Sequence, residues 1–528
     1  MSNKAIATPP VAAKVSARAW AILAAMGFGA LIAQMFSTVI GPALPTLKTD
    51  LGLSLSAQTW TITSYSLAFG TALVAGGRLG DLVGEVKMII TGFSVFGIGL
   101  VMSAVASGGE MLIAGRTIQG IGIGISAPAT LSIVVNSFPL IRRGFAVGVW
   151  GFAHGAGLLV GPLFAGYMLE WASWRWIFWV AVPLTVLVIL ITLAATRGYK
   201  SVIATGSYDW RGLIIGGLGI TLLTFGLQNS SNGWTAPGTW GALLAGVVLL
   251  AIFGFVELRM EFPLVDFDLW KERLFSGGFF AESAVGFVYI PMLTFVGSLY
   301  FIGVLGFSPV EAGYMILWTT LTCMLLEPAA GWVVDRIGPG IPITFALLLQ
   351  AGALFMMGTF SSTTSGFHLI VPLVMMGAGV GIALPACNTA GMSAVDAKRA
   401  GMGSGLMQMT FNIPAALGVA LVTSVIGTLA ISQVRDAAPP AVVDSAADYA
   451  NAIQDGNTSL ADQILSALPP DVANSIQEAT VNSQASAITT SMIVLGFVAL
   501  AGAVFAWVVI GRRRTPDHIE VMDAHQAA

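Results

Sequence analysis

Apolar residues run unbroken for about 20 positions at a time along this chain, and polar residues gather in the short stretches between them. As α-helix, a run of that length crosses the hydrocarbon core of a bilayer, whereas a membrane strand shows about ten alternating positions. Helices and closed barrels are the structures that satisfy their own backbone hydrogen bonds in lipid. The pattern therefore predicts an all-α integral membrane protein with fourteen spans. They start near Ala17, Ala57, Val86, Met111, Gly144, Trp176, Asp209, Trp240, Phe275, Val310, Ile341, Phe367, Gly401 and Ser486.

Composition agrees with the pattern. Of 528 residues, 56% are hydrophobic and 9% charged, and the mean hydropathy is +0.85. A soluble chain carries about 25% charged residues. An even number of spans puts both termini on one side, and the bias of Lys and Arg says which. Segments on the side of the N-terminus hold 19 of the 23 Lys plus Arg, from Lys4 and Lys14 through Arg78, Arg142 and Arg336 to Arg512–Arg514. The opposite segments hold three, Lys48, Arg175 and Arg435, and Arg116 lies within a span. Both termini are thus expected in the cytoplasm, with the protein in the cytoplasmic membrane. The N-terminal stretch reads as a leader to a retained first helix, since no small-residue cleavage site follows a short apolar core. Cys323 and Cys387 fall inside apolar runs, which predicts neither a disulfide framework nor a metal set. One long polar insert, about 431–485, is expected on the outer face. It carries Asp436, Asp444, Asp448, Asp455, Asp462, Asp471 and Glu478 against Arg435, and "PPDVANSIQEATVNSQASAITT" within it has few helix breakers. It is a solvated cap, or else an acidic vestibule or a docking surface for an adaptor.

A text appears twice. Gly77-x-x-x-Asp81-x-x-Gly84 returns as Gly331-x-x-x-Asp335-x-x-Gly338, an offset of 254. "GIGIGISAPA" from Gly120 matches "GAGVGIALPA" from Gly377, and "GFAVG" from Gly144 matches "GMGSG" from Gly401, both at 257. Shared order and nearly shared offset indicate an internal duplication of six spans, with the seventh and eighth extra. The expected organisation is a six-helix bundle over residues 1–200, two additional helices and a linker over 201–272, and a second six-helix bundle over 273–528. Parallel repeats of this kind place a transport site between the halves.

These motifs resemble the major facilitator superfamily, and within it the fourteen-helix drug:proton antiporter branch, over nearly the whole chain. "GRLGDLVG" is similar to the loop motif between helices two and three. "GRTIQGIG", with Arg116 and Gln119, is similar to the fourth-helix motif. Gly148, Gly157, Gly161, Pro162 and Gly166 fit the fifth-helix antiporter motif, with Ala165 in place of one glycine. The resemblance implies a major facilitator fold of two pseudo-symmetric six-helix bundles plus two extra helices. It also implies drug efflux by alternating access, in exchange for protons. Two departures stand out. Glu85-Val86-Lys87 follows the loop motif where basic residues are usual. In "MFSTVIGPALP" Phe36 stands at the position where the branch has a first-helix aspartate, so a protonation site often assigned there is absent.

The residues carry their own chemistry. Asp81 can accept from the free N–H groups at the start of a neighbouring helix and latch the halves on the inner side, or else anchor its loop in water. Gly77, Gly84, Asp335 and Arg336 join it as the expected inner gate. Arg116, about 9 Å into the fourth span at 1.5 Å per residue, steers protons or serves as a buried hydrogen bonder. The fifth-helix glycines permit close packing, expected against the second half, where it would seal the cavity. His154, Glu282 and Glu327 are the titratable groups within spans; each either handles protons or cations or plays a structural part. Gln34, Tyr65, Gln119, Phe287, Tyr289, Trp318, Gln408 and Asn412 are expected to line an aromatic cavity with sparse polar groups, which suits amphipathic organic compounds.

No phosphate-cradling loop, nucleophile elbow or metal cluster is written in the chain, so no enzyme activity, metal or cofactor is expected and the energy source is a proton gradient. Small molecules, protons and lipid are the expected partners, not nucleic acid. Export of one endogenous metabolite or lipid-like molecule on the same fold, or a membrane sensor that does not transport, are the competing readings.

Overall fold

The computed structural model describes residues 15–511, apart from 54, 202, 204–208, 230–235, 261–262, 264 and most of 438–457. Lys4, Lys14, Asp444, Asp455 and Arg512–Arg514 lie outside the described residues, as do the side chains of Arg435 and Asp436. Among the described residues fourteen helices have 18 residues or more. They are α1 (Ala17–Thr38), α2 (Leu55–Val83), α3 (Glu85–Ala104), α4 (Gly109–Ser137), α5 (Arg143–Trp171), α6 (Arg175–Ala195) and α7 (Trp210–Gln228). They continue with α8 (Pro237–Glu257), α9 (Arg273–Thr294), α10 (Pro309–Ile337), α11 (Gly340–Met357), α12 (Phe367–Ser393), α13 (Ala400–Ala437) and α14 (Pro470–Val509).

Local chemistry sets many of the ends. Ser16 caps α1, its hydroxyl accepting from Ala19 N at 3.1 Å. Asp209 caps α7 through Arg211 N and Gly212 N. Ser308 and Glu311 form a capping box on α10. The chain breaks at Val39 and resumes as a helix over Ile40–Leu51, and α9 runs on as a π-helix over Phe295–Val304. The stretch foreseen as a helix entering the last span is one: α14 is continuous for 40 residues, about 60 Å, which outruns a hydrocarbon core of about 30 Å. Below its first turns Tyr449, Ala452 and Ile476 form a small apolar cluster.

Two large cores hold the helices together. One is built from residues between Ala19 and Val188, with Met392 and Ala400 added from the second half. The other is built from residues between Phe253 and Ile510. The duplication in the sequence is a duplication of helix crossings. Gly120 and Gly124 of α4 lie against the Tyr65 and Phe69 carbonyls of α2. Their counterparts Gly377 and Gly381 of α12 lie against the Thr319 and Cys323 carbonyls of α10. A Cβ at any of the four would overlap that backbone, so glycine is what lets each pair of helices cross so closely. The surfaces away from the cores carry exposed Leu187, Leu190, Leu244, Val247 and Phe255, as a lipid-facing wall requires.

Candidate functional site

The halves are tied at one end by two matching latches. The Asp81 carboxylate, at the end of α2, accepts from Gly401 N at 2.6 Å and Met402 N at 2.9 Å, in the first turn of α13. The Asp335 carboxylate, at the end of α10, accepts from Gly144 N at 2.7 Å and Phe145 N at 2.9 Å, in the first turn of α5. Both aspartates are buried. Each uses N–H groups that have no partner within their own helix, at the positive end of its dipole. The glycines of the motif make this possible. A Cβ at Gly77 would fall on the Gly401 carbonyl, and one at Gly331 on the Gly144 carbonyl. Gly84 and Gly338 turn the chain with φ of +102° and +81°.

Arg336, the remaining residue expected at the gate, lies 3.5 Å over the exposed Trp332 ring. Glu85, which follows the loop motif, is buried: Asn136 Nδ2 donates to it at 3.1 Å, and Tyr199 hydrogen-bonds it from the segment after α6. Burial and that neighbouring carboxylate push the Tyr199 phenol above its ordinary range.

Above the latches lies a central cavity in two lobes. The lobe toward the first half, about 260 Å³, is walled by Gln34, Tyr65, Phe69 and Trp150, with hydroxyls from Ser37, Ser126 and Thr130. The lobe toward the second half, about 160 Å³, is walled by Glu282, Tyr289, Cys323, Glu327 and Asn388. Gln34, His154, Gln408 and Asn412 border both. His154 Nε2 and Gln34 Oε1 are 2.5 Å apart, and the imidazole meets Trp150 edge-on. Glu282 receives Asn388 Nδ2 at 3.1 Å, and Glu327 receives the Cys323 thiol at 3.5 Å. Both carboxyls are buried, and among the described residues the second oxygen of each has no hydrogen-bond partner. The free oxygen of Glu327 rests on Gly151 of α5, across the seam between the halves.

Arg116 is fully buried on the side of the first lobe away from the latches. It donates to the carbonyls of Thr61 at 3.3 Å and Phe36 at 3.1 Å and to Gln119 Oε1 at 2.8 Å, and it lies 4.3 Å from the centre of the Tyr65 ring. Phe36, at the position of the missing aspartate, is packed edge-on against Phe96 and gives Arg116 its backbone oxygen. Gln119 is not a cavity residue: its amide is taken up by Gly99 O, Ser103 Oγ and Arg116. Phe287 and Trp318 also stay out of both lobes; Phe287 packs onto the second core and Trp318 is half exposed on the outside.

The fifth-helix motif divides by neighbour, which corrects the expectation that it packs against the second half. Gly148 does, against the Glu327 carbonyl and Pro328. Gly157 and Gly161 pack instead within the first half, against Leu31, Gln34 and Met35 of α1, and Gly166 meets nothing. Pro162 lies within α5. Sequence reasoning passed over Gly151, Trp150 and Asn388. A lone Asn in the apolar "LPACNTAG" was the one available signal. Among the described residues no three His, Cys, Asp or Glu side chains come together as a metal site.

Known proteins extend the picture. The Major Facilitator Superfamily model matches residues 26–419. The Tetracenomycin C resistance and export protein of Streptomyces glaucescens is 27% identical over 95% of this chain and 93% of its own length. The Puromycin resistance protein pur8 of Streptomyces alboniger is 29% identical over 81% of this chain and 86% of its own. The Multidrug resistance protein Stp of Mycobacterium tuberculosis is 27% identical over 76% and 75%. Among solved structures, the proton:xylose symporter XylE superposes with a TM-score of 0.59 at 16% identity, over 96% of this chain and 100% of that one, a likeness of fold alone.

Proposed function

Because the chain belongs to the Major Facilitator Superfamily, we propose that it exports antibiotic-like organic compounds across the cell membrane in exchange for protons, by alternating access. Relatives named for resistance to, or export of, tetracenomycin C, puromycin and multiple drugs support the substrate class. The observation that carries the coupling is the pair of carboxyls, Glu282 and Glu327, buried in the second-half wall of a cavity between two pseudo-symmetric bundles.

A desolvated carboxyl is disfavoured as an anion, and water reaching it lets it ionise. A carboxyl that alternates between a dry and a wet cavity therefore takes up and releases a proton as the halves rock. A cationic substrate that needs the anion competes with that proton. In this reading the end held by Asp81 and Asp335 faces the cytoplasm, where the basic segments and both termini lie. The latches close that end while the other opens, and Arg116 fixes the first-half wall beside Tyr65.

The test is proton release on adding substrate to the purified protein, together with export from proteoliposomes under an imposed pH gradient. The parent should release protons, and a protonophore should abolish export. Glu327→Gln or Glu282→Gln should stop proton-driven export of cations and leave binding of neutral compounds in place. His154→Gln should have a smaller effect, since the imidazole already has a partner in Gln34. Release by both glutamine variants at the parent's level overturns the assignment of the carboxyls.

A further inference from the structure

Helix α7 has no counterpart in the duplicated part of the sequence, yet it reaches the cavity. Three contacts fasten it to α2: the Thr71 and Thr221 hydroxyls are 2.6 Å apart, the Trp60 and Phe225 rings stack at 5.8 Å, and Gly217 fits against the Thr71 methyl. α7 also packs against α13 of the second half. It therefore lies over the flank between α2 and α13, and along that flank Ile220, Thr224 and Leu227 line the first-half lobe.

The chemistry of the lobe leans toward acceptors. Five of its hydroxyls donate to helix carbonyls: Ser37 to Gln34, Ser126 to Ile123, Thr130 to Ala127, Thr224 to Ile220, and the Tyr65 phenol to Ala33. With those hydrogens so used, their oxygen lone pairs remain for a ligand, beside Ser66 and the Gln34, Gln408 and Asn412 amides, which also carry donors. No carboxylate and no Lys or Arg side chain lines the lobe. Rings from Tyr65, Phe69, Phe93 and Trp150 supply apolar faces. A wall of rings with more acceptors than donors matches a flat aromatic group that carries hydroxyl or N–H donors.

We propose that α7 is part of the ligand site, closing a lobe that takes a donor-bearing aromatic group, with Ile220 setting which ring systems fit and Thr224 adding an acceptor. This deepens the export reading and rests on it for the direction in which the ligand travels, but binding can be measured without a gradient.

The full chain, purified in detergent, would be tested by equilibrium dialysis with 2,6-dihydroxyanthraquinone and with its dimethyl ether, which has the same rings and no donors. The parent should bind the dihydroxy compound about tenfold more tightly than the ether. Thr224→Val keeps shape and removes one acceptor. It should weaken the dihydroxy compound about threefold, the worth of one ordinary hydrogen bond, and leave the ether unchanged. Ile220→Trp fills the lobe and should weaken both at least about tenfold. Leu218→Ala, on the exposed side of the same helix, should change neither. Equal binding of the two compounds by the parent, or binding of neither, overturns the ligand class. Parent-like binding by Thr224→Val and Ile220→Trp overturns the role of α7. If these variants bind as expected but the parent shows no proton-driven export, the inference stands and the export reading falls. If export is proton-driven and the α7 variants bind like the parent, the reverse holds.

Discussion

Asp81 receives two backbone N–H groups from a helix it does not belong to. Hydrogen bonds to a charged group are worth about 1.5–3 kcal/mol each. Asp81→Asn leaves one amide oxygen to accept and turns an NH₂ toward the second donor, so at least one of the bonds is lost and its donor left unsatisfied. The change should weaken crosslinks between cysteines placed one on each half at this end, and cut turnover at least about tenfold, with expression normal. Normal transport by well-expressed Asp81→Asn removes the latch from the mechanism. Such a contact was legible because a carboxylate at the end of an apolar run has few partners other than helix N-termini. Glu327 was legible as a buried carboxyl, but Gly151 beneath it was not. In a chain with 63 glycines, nothing in the sequence says which one a side chain will rest on.

At the scale of a helix, α5 shows why a motif does not reveal its neighbours. Gly148, Gly157, Gly161 and Gly166 share one helix and meet three different surroundings. Substitution should separate them. Gly157→Ala, facing the Leu31 carbonyl and Gln34, should spread α1 from α5 and lower thermal stability. Gly166→Ala, in open space, should be silent. Gly151→Ala should displace the Glu327 carboxyl and alter coupling with little loss of stability. The check is melting temperature and substrate-induced proton release on each variant; equal effects at all three positions contradict the assignment of faces. The long apolar helices were legible for a simpler reason: lipid demands an apolar run of set length, and among the described residues eleven helices are long and apolar enough to cross a membrane. The route of α7 was not legible, because an apolar helix reads the same whether lipid or a cavity lies on its inner side.

At the scale of the molecule, each half gives one carboxylate and receives one, so the closed end is held twice. The two latches form in one rigid-body movement and share no partner, so each adds its own free energy to the same closed state. Asp81→Asn with Asp335→Asn should lower the closed-to-open ratio by about the product of the single effects, measured by crosslinking across the same end. A double variant no worse than the single ones would mean that the latches do not close one shared seam. The pairing was visible in the sequence only as an offset; that the repeated loop meets the repeated helix start of the opposite half is a property of the assembled pair.

At that end main chain meets main chain at three glycine crossings, Gly77 on Gly401, Gly331 on Gly144 and Gly148 on the Glu327 carbonyl. A glycine has no rotamers to lose when it is buried. Bringing these crossings together therefore freezes almost no side-chain motion at them, and parting them releases almost none. The balance between joined and parted then rests on a handful of hydrogen bonds and on apolar contact, both of which water can replace. A device that must run through the same two shapes in every cycle is best served by end states of nearly equal free energy, and glycine crossings that order no side chain keep configurational entropy from weighing on either one there.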